Sequence, residues 1–269
     1  MNETQRELRD WFEREQVHPR QSVIEALKSL NLRRGDRVAD IGCGPGVHLP
    51  HILKRVGPDG QVVGIDTSRE RLQVARAMLQ REIEQDRISL VEGDMYNIDP
   101  DLGPFDVVWM SLVLHHEDVP VETIGSLIPL LAPGGRIAIL DGDDAASFPF
   151  LPWSPDFELT VREAVNRAAD EKRFTARRVL SVLRKAGLSD LRLRAFSDVR
   201  HAPLDGWDLD DIREWFLNSF GSRIRKYLSP ADWQRYESYF SSPDDPDYLL
   251  DRPGFFLTRT WFLAEGTLK

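Results

Sequence analysis

Residues 38–46 read V-A-D-I-G-C-G-P-G, a short apolar run that leads into glycines at 42, 44 and 46. Continuous small and apolar content before a glycine-rich turn is typical of a buried parallel strand that is followed by a helix. Glycines at such a turn remove Cβ atoms, so a ligand can contact the backbone there. The stretch therefore predicts a ligand-binding loop at the carboxyl end of the first strand of an α/β sheet.

Two residues argue against a pyrophosphate as the ligand of this loop. The dinucleotide pattern G-x-G-x-x-G requires a glycine at position 47, where this chain has Val47. Asp40 places a carboxylate beside the loop, and this carboxylate would repel the negatively charged pyrophosphate of a dinucleotide. A carboxylate at this position favours a ligand that carries a positive charge.

The first half of the chain alternates strands with helices. Thr67 and Glu70 form a capping-box pattern at the start of one helix. Such a βαβαβ order predicts a doubly wound, mostly parallel sheet with right-handed crossovers. The buried strands predicted in this half are residues 37–41, 62–66, 88–92, 105–110 and 136–141.

The second half is less regular. Strands are predicted at 191–196 and 255–264, and between them residues 198–254 hold two predicted helices, 208–220 and 230–240. A connection of this length often forms a lid or a substrate wall. We therefore expect three parts: an N-terminal helical segment at 1–30, an α/β domain at 31–197 and 255–269, and a helical insertion at 198–254 that caps the substrate.

The composition limits the classes of partner. The chain has 269 residues and a formal net charge of −9, and a protein that binds nucleic acid non-specifically needs a basic surface instead. The chain start lacks a signal-peptide pattern, and no run of 18 apolar residues occurs. Cys43 is the single cysteine, which excludes an internal disulfide. We expect a cytoplasmic protein without nucleic-acid or membrane partners, either a monomer or a homodimer.

Two further carboxylates follow predicted strands. Asp66 ends the second strand, 20 residues beyond Gly46, where an acidic side chain accepts hydrogen bonds from ribose hydroxyls. The alternative for Asp66 is an acid that only stabilises a helix N-terminus. Asp94 follows the third strand, where it could accept from an exocyclic amine while Met95 supplies an apolar wall for a purine. The alternative for Asp94 is a solvated turn aspartate.

Together, these stretches resemble the class I S-adenosylmethionine-dependent methyltransferases. The resemblance covers residues 20–145 and includes five motifs in the right order. They are V-A-D-I-G-C-G-P-G, G-I-D, E-G-D-M, F-D-V-V-W-M-S-L-V-L-H-H and L-L-A-P-G-G-R-I-A-I-L-D. It implies an α/β fold with a seven-stranded, mostly parallel sheet, an antiparallel last strand and a helical insertion before that strand.

The resemblance also implies S-adenosylmethionine as the cofactor and assigns its contacts. The methionine part would lie against Asp40, the glycine loop and the main chain near the fourth strand, and the two later carboxylates would hold the ribose and the adenine. The implied cofactor-binding residues are Asp40, Gly42, Cys43, Gly44, Gly46, Asp66, Thr67, Asp94, Met95, Met110 and Ser111.

The segment after the fourth strand indicates the class of acceptor. Methyltransferases of this fold that act on the amino groups of bases or glutamine carry an Asn/Asp-Pro-Pro-Tyr/Phe signature, and here the segment is W-M-S-L-V-L. It resembles small-molecule members such as the quinone C-methyltransferases and natural-product enzymes. This favours methyl transfer to an oxygen or carbon of a small, largely apolar molecule. Rival hypotheses are a cofactor-binding cyclase or sensor of the same fold, and a macromolecule methyltransferase.

A general base is required only if the acceptor must lose a proton, as a hydroxyl or a carbon acid does. His115 and His116 are the candidate catalytic residues, because neutral imidazole accepts protons near pH 7. The alternative is that they begin the next helix and satisfy local hydrogen bonds. His201 is a further candidate for the base or for substrate contact.

Aromatic side chains are the candidates for the wall of an apolar acceptor pocket. We expect Trp11, Trp153 and Trp215 to contribute to this wall, although packing is the commoner role of such residues. His48 and His51 form an H-x-x-H pair without a third ligand nearby in the sequence, so no metal site is predicted.

Overall fold

A computed structural model describes residues 3–17, 19–143, 146–151, 154–168, 175–203 and 206–269. Its contacts divide the chain into two compact units. The first unit is Met1–Asp141, Thr175–Phe196 and Trp261–Lys269, and the second unit is Gly142–Phe174 and Ser197–Thr260. The second unit thus contains the insertion expected from the sequence together with residues 142–174, which the sequence-based division assigned to the α/β domain.

Eight strands and eleven α-helices occur in the described ranges. The strands are β1 (Arg37–Ile41), β2 (Gln61–Asp66), β3 (Ile88–Glu92), β4 (Phe105–Ser111), β5 (Leu131–Gly142), β6 (Phe148–Phe150), β7 (Ser189–His201) and β8 (Phe256–Thr267). The helices are α1 (Glu3–Val17), α2 (Gln21–Ser29), α3 (Leu49–Val56), α4 (Arg69–Met78), α5 (Gln80–Glu84), α6 (Pro120–Leu127), α7 (Pro155–Ala168), α8 (Thr175–Lys185), α9 (Gly206–Glu214), α10 (Gly221–Ile224) and α11 (Pro230–Ser238). None of these helices is long and apolar enough to cross a membrane.

The sheet of the first unit has the strand order β3-β2-β1-β4-β5-β8, and β7 pairs with β8. β1 to β5 all run parallel to one another. Leu268, just beyond β8, donates its N–H to the carbonyl of Gly135 near the start of β5 at 2.8 Å, so the last strand is antiparallel to β5. The predicted α/β fold, with a mostly parallel sheet and an antiparallel last strand, is confirmed.

Alternation along the strands explains why the sheet is covered on both faces. Val38 packs in one core cluster with residues of α2, α3 and α4, whereas its neighbour Ala39 packs in another with residues of α6 and α8. Trp109 and Met110 on β4 divide in the same way. All four side chains are fully buried. Because successive side chains point to opposite faces, a strand without polar positions needs helices on both sides.

The second unit has an aromatic core of its own. Phe216 stacks on Phe240 with ring centroids 4.1 Å apart, and Tyr236 contacts the same ring edge-on at 5.1 Å. The Tyr236 hydroxyl donates to the carbonyl of Phe216 at 3.0 Å, so its buried polar atom is satisfied. β6 pairs antiparallel with the first residues of β8 in this unit.

Two local predictions differ from the structure, and one short strand was not predicted. The cap of α4 is Ser68, whose hydroxyl accepts from the N–H of Arg71, and not Thr67. The helix predicted at 208–220 consists of α9 followed by a π-helix at Trp215–Phe220. The three-residue strand β6 was not predicted, because so short a segment carries no alternation.

Candidate active site

The glycine loop between β1 and α3 adopts a backbone conformation that disfavours other residues. Gly42, Gly44 and Gly46 have φ angles of 72°, 56° and 83°, in the left-handed region. A Cβ on Gly42 would approach a methyl carbon of Val113 to 2.5 Å, whereas a Cβ on Gly44 would have only Arg71 Cδ, 4.0 Å away, as a neighbour. The loop therefore faces open space at Gly44, where a ligand can reach the backbone.

Asp66 fastens this loop to β2. Its Oδ2 accepts from the N–H of Gly44 at 2.7 Å, and its Oδ1 accepts from the N–H of Ser68 at 2.8 Å, at the start of α4. The contact with Ser68 is the helix-terminus role considered from the sequence, and the contact with the loop was not predicted. Each carboxylate oxygen can accept a second hydrogen bond, so Asp66 retains acceptor capacity for ribose hydroxyls.

Asp40 lies beside the loop as a buried carboxyl group that lacks a full set of partners. Its side chain is 1% exposed, and its Oδ2 accepts no hydrogen bond from the described residues. Burial, and then the negative charge of Asp66, raise the pKa of Asp40 well above its usual value. A buried carboxylate becomes favourable when a positive group pairs with it. The orphaned oxygen therefore fits the ammonium group of the amino-acid end of S-adenosylmethionine.

Two further predicted cofactor residues, Cys43 in the glycine loop and Thr67 after Asp66, differ in their exposure to solvent. Cys43 is buried, and desolvation, with the charges of Asp40 and Asp66, raises the pKa of its thiol well above the usual value. The thiol is therefore protonated at neutral pH, and the main chain of Cys43 donates to the carbonyl of Ile65 at 3.1 Å. Thr67 is exposed at the end of β2.

Met110 and Ser111 lie at the carboxyl end of β4, the strand next to β1. Met110 is fully buried in the core, and the Ser111 hydroxyl is buried without a partner among the described residues. Leu112, which follows, has a φ of 60°. A side chain with a Cβ is strained in this region, and such strain is frequent at functional sites.

Asp94 and Met95 follow β3. Asp94 is exposed, and its Oδ1 accepts from the N–H of Tyr96 at 3.0 Å, which is the turn geometry considered as the alternative from the sequence. Met95 is half-buried against the core, and its carbonyl accepts from the Ser126 hydroxyl at 3.0 Å. These contacts leave the Met95 side chain as an apolar surface beside the turn.

Tyr96 is a residue of this region that the sequence patterns did not indicate. Its hydroxyl lies 2.6 Å from Glu117 Oε2 and 2.7 Å from Thr123 Oγ1. It thereby joins the turn after β3 to the segment that carries the two histidines. A tyrosine in a polar turn has no sequence signature that would distinguish it from a solvated residue.

His115 forms a hydrogen-bonded pair with Asp141, which lies near the carboxyl end of β5. The Nδ1 of His115 lies 2.8 Å from Asp141 Oδ1, and the main-chain N–H of His115 donates to Oδ2 at 3.0 Å. Asp141 is 1% exposed and the imidazole 17%. A carboxylate can only accept, so Nδ1 donates to Asp141, and in the neutral imidazole this leaves the lone pair on Nε2. Asp141 was missed because 26 residues separate it from His115.

The other candidates have different surroundings. His116 is exposed, and its ring centroid lies 4.0 Å from that of His115; both belong to a short 3-10 turn and not to the next α-helix. Trp11 packs partly buried against the core of the first unit. In the second unit, His201 is exposed on β7, and Trp215 stacks on Phe220. Trp153 lies outside the described residues.

The H-x-x-H pair lies at the start of α3. Burial, and then the charge of Arg20, lower the pKa of His48 to about 3. Burial also lowers the pKa of His51. In the described ranges, no three His, Cys, Asp or Glu side chains form an arrangement that could hold a metal ion.

Comparisons with known proteins identify the family of the chain. A family model described as a methyltransferase domain matches residues 32–187, more than half of the chain. A demethylmenaquinone methyltransferase of Lactococcus lactis is 29% identical over 142 residues, 52% of this chain and 54% of that protein. A 2-phytyl-1,4-naphtoquinone methyltransferase of Nostoc punctiforme is 33% identical over 117 residues, 43% of this chain and 50% of that protein. The chain thus spans about half the length of these curated relatives.

A solved structure shows the same fold. It is a SAM-dependent methyltransferase from Aquifex aeolicus, which matches with a TM-score of 0.52 and 20% identity over 73% of this chain and 92% of that protein. The glycine loop, Asp40, Asp66 and the five parallel strands β1 to β5 all lie within the region that the family model matches. The chain therefore belongs to the methyltransferase-domain family and has the fold of the class I S-adenosylmethionine-dependent methyltransferases.

Proposed function

We propose that this protein transfers a methyl group from S-adenosylmethionine to an oxygen or carbon atom of a small, largely apolar molecule. Family membership supports the reaction, and two relatives are named as quinone methyltransferases, which supports a small-molecule acceptor. The net charge of −9 also disfavours a nucleic-acid acceptor. The cofactor, when bound, supplies an electrophilic methyl group on a sulfonium.

The residues that would hold the cofactor lie at the carboxyl ends of β1, β2 and β4. Asp40 would pair with the ammonium group, Gly44 would leave room against the backbone, and Asp66 would accept from the ribose. Asp94 and Met95 would border the adenine. Since methyl transfer to an aligned acceptor depends mainly on orientation and exclusion of water, a rigid glycine loop tied to β2 suits this task.

The pairing of His115 with Asp141 is the observation that carries the choice of an oxygen or carbon acceptor. An amine acceptor can react as its free base, whereas a hydroxyl or carbon acid must lose a proton. Asp141 orients the imidazole and would stabilise the imidazolium that forms after proton uptake at Nε2. We assign His115 as the base and Asp141 as a positioning residue.

The test measures the release of S-adenosylhomocysteine during incubation with a panel of candidate acceptors. The panel contains phenols and hydroquinones as oxygen acceptors and activated carbon acids as carbon acceptors. We expect turnover with some of them and a kcat about 100-fold lower in His115→Gln, because a positioned base contributes 10²–10⁴-fold. Asp141→Asn should shift the pH–rate profile as well as lower kcat, since an amide can hold the wrong tautomer. His201→Gln tests the other histidine that the sequence offered as a base, and we expect it to leave kcat unchanged if His115 is the base.

Two results would contradict the proposal. If His115→Gln has the same kcat as the wild type, His115 is not the base. Binding of S-adenosylmethionine without turnover across the panel would favour a sensor or a cyclase instead.

A further inference from the structure

The second unit contains a polar cleft that the proposed reaction does not use. Its volume is about 230 Å³, and it is lined by Leu151, Ser154, Arg235, Tyr239, Asp247, Leu249 and Arg252. Residues 198–254 carry twelve acidic and seven basic side chains, yet this cleft has two arginines and one aspartate. The cleft therefore has a local excess of positive charge within an acidic segment.

Arg235 is held in one orientation by two hydroxyl groups. Its Nε donates to the Tyr239 hydroxyl at 2.9 Å, and its Nη2 donates to the Ser154 hydroxyl at 2.8 Å. These two oxygens are themselves 3.3 Å apart. Acceptors so close together occupy the edge of the guanidinium that Nε and Nη2 share, where the two N–H bonds are parallel. That edge is fully used inside the protein.

The opposite edge, formed by Nη1 and the second N–H of Nη2, has no hydrogen-bond or ion-pair partner among the described residues. The planar guanidinium has five N–H groups in fixed positions; three of them are unused here, and two of these three form the free edge. Its carbon lies 4.5 Å from the centroid of Phe157, so an aromatic ring supports the plane. A fixed edge of two parallel N–H donors matches the two oxygens of a carboxylate or a phosphate.

The far wall of the cleft is also ordered by local hydrogen bonds. The N–H of Leu249 donates to the carbonyl of Tyr239 at 3.0 Å, which joins the loop after α11 to the end of that helix. The N–H of Arg252 donates to the carbonyl of Leu249 at 3.0 Å. Arg252, which follows this turn, lines the same cleft, and Asp247 is the lining carboxylate that opposes an anion there.

We propose that this cleft binds the oxyanion group of a small molecule, a carboxylate or a phosphate monoester, with the free edge of Arg235 as the principal contact and Arg252 as the second positive group. The volume fits an anionic headgroup and not a whole drug-sized ligand. The lining residues differ from those that would hold S-adenosylmethionine, so binding to the cleft is tested without the cofactor.

The test is ligand-detected NMR titration of the full chain with two probes, benzoate and phenyl phosphate, at low chloride. We expect saturable binding of at least one probe with a Kd of about 1 mM, typical of one bidentate contact. The tighter probe identifies whether carboxylate or phosphate is preferred. Arg235→Gln should raise this Kd at least about tenfold.

Two variants separate a shaped site from general charge attraction. Arg225→Gln removes an equal charge from the same unit outside the cleft and should leave the Kd unchanged. Arg235→Lys keeps the charge but loses the two-donor edge, so it should weaken binding about fivefold or more. If Arg235→Gln does not fold, Arg252→Gln provides the same comparison on an exposed turn. Absence of saturable binding, or equal Kd values for the wild type and the Arg235 variants, would overturn the proposal.

Discussion

At the scale of single residues, Asp40 is the most informative side chain of the first unit. The sequence predicted its carboxylate beside the glycine loop, and the structure adds that one of its oxygens is buried without a partner. A buried acid with a raised pKa lowers stability at neutral pH, because the unfolded chain ionises freely above its own pKa while the folded chain does not. Such a group is retained at a site when it pairs with a ligand.

Replacement of Asp40 by asparagine should therefore change stability and affinity in opposite directions. We expect the free energy of unfolding of Asp40→Asn without cofactor to rise by about 1–3 kcal/mol at pH 7, because the cost of burying an acid that ionises in the unfolded chain is removed. The affinity for S-adenosylmethionine should fall at least about tenfold. Urea unfolding and calorimetric titration measure the two quantities, and a parallel loss of both would contradict the assignment.

Gly44 and Gly46 offer a matched pair of substitutions. Both have left-handed φ angles, but a Cβ on Gly46 would lie 3.0–3.3 Å from Leu79, Leu49 and Ala75, whereas Gly44 faces open space. Gly46→Ala should lose about 1–3 kcal/mol more stability than Gly44→Ala, since crowding adds to backbone strain. Gly44→Ala should remain folded and lose cofactor affinity. Equal stability of the two variants in urea unfolding would contradict this difference.

At the scale of elements, the predicted strands of the sheet are all present, because continuous apolar runs between turn residues leave few alternatives to buried strands. The π-helix at Trp215–Phe220 and the position of Asp141 beside His115 were not predictable. The first depends on tertiary packing, and the second depends on which strand ends meet at one edge of the sheet. Asp40 and Asp66 could be found because they lie in the last residues of β1 and β2, at a fixed spacing from the glycine loop.

The start of α3 predicts a pH dependence of stability. Burial lowers the pKa of His48 to about 3, below its value of about 6.5 in the unfolded chain. The unfolded state therefore binds the proton first, and stability decreases as the pH falls from about 6.5 toward 3. Because the ring is half-buried, we expect about 1 kcal/mol of loss between pH 7 and pH 5 from this residue. Urea unfolding at both pH values should show a smaller loss in His48→Gln than in His201→Gln; equal losses would contradict the prediction.

At the scale of the whole molecule, the chain combines two units that the family model covers to different extents. The model matches residues 32–187, which include most of the first unit, whereas residues 197–260 of the second unit lie outside the match. Sequence motifs identify the first unit, since its glycines and carboxylates have fixed spacing. They say little about the second unit, whose aromatic core and arginine cleft arise from contacts between distant segments. The identity of the acceptor is accordingly the part of the function that motifs predict least.

The central claim is that Asp66 and the glycine loop bind S-adenosylmethionine, and calorimetric titration tests it most directly. The wild type and Asp66→Ala are each titrated with S-adenosylhomocysteine and with its 2′-deoxyribose analogue, after circular dichroism has shown that both proteins are folded. We predict that the wild type binds the ribose form at least about tenfold more tightly than the deoxy form, and that Asp66→Ala has nearly equal affinities for the two. The same preference for the ribose form in both proteins would contradict the account.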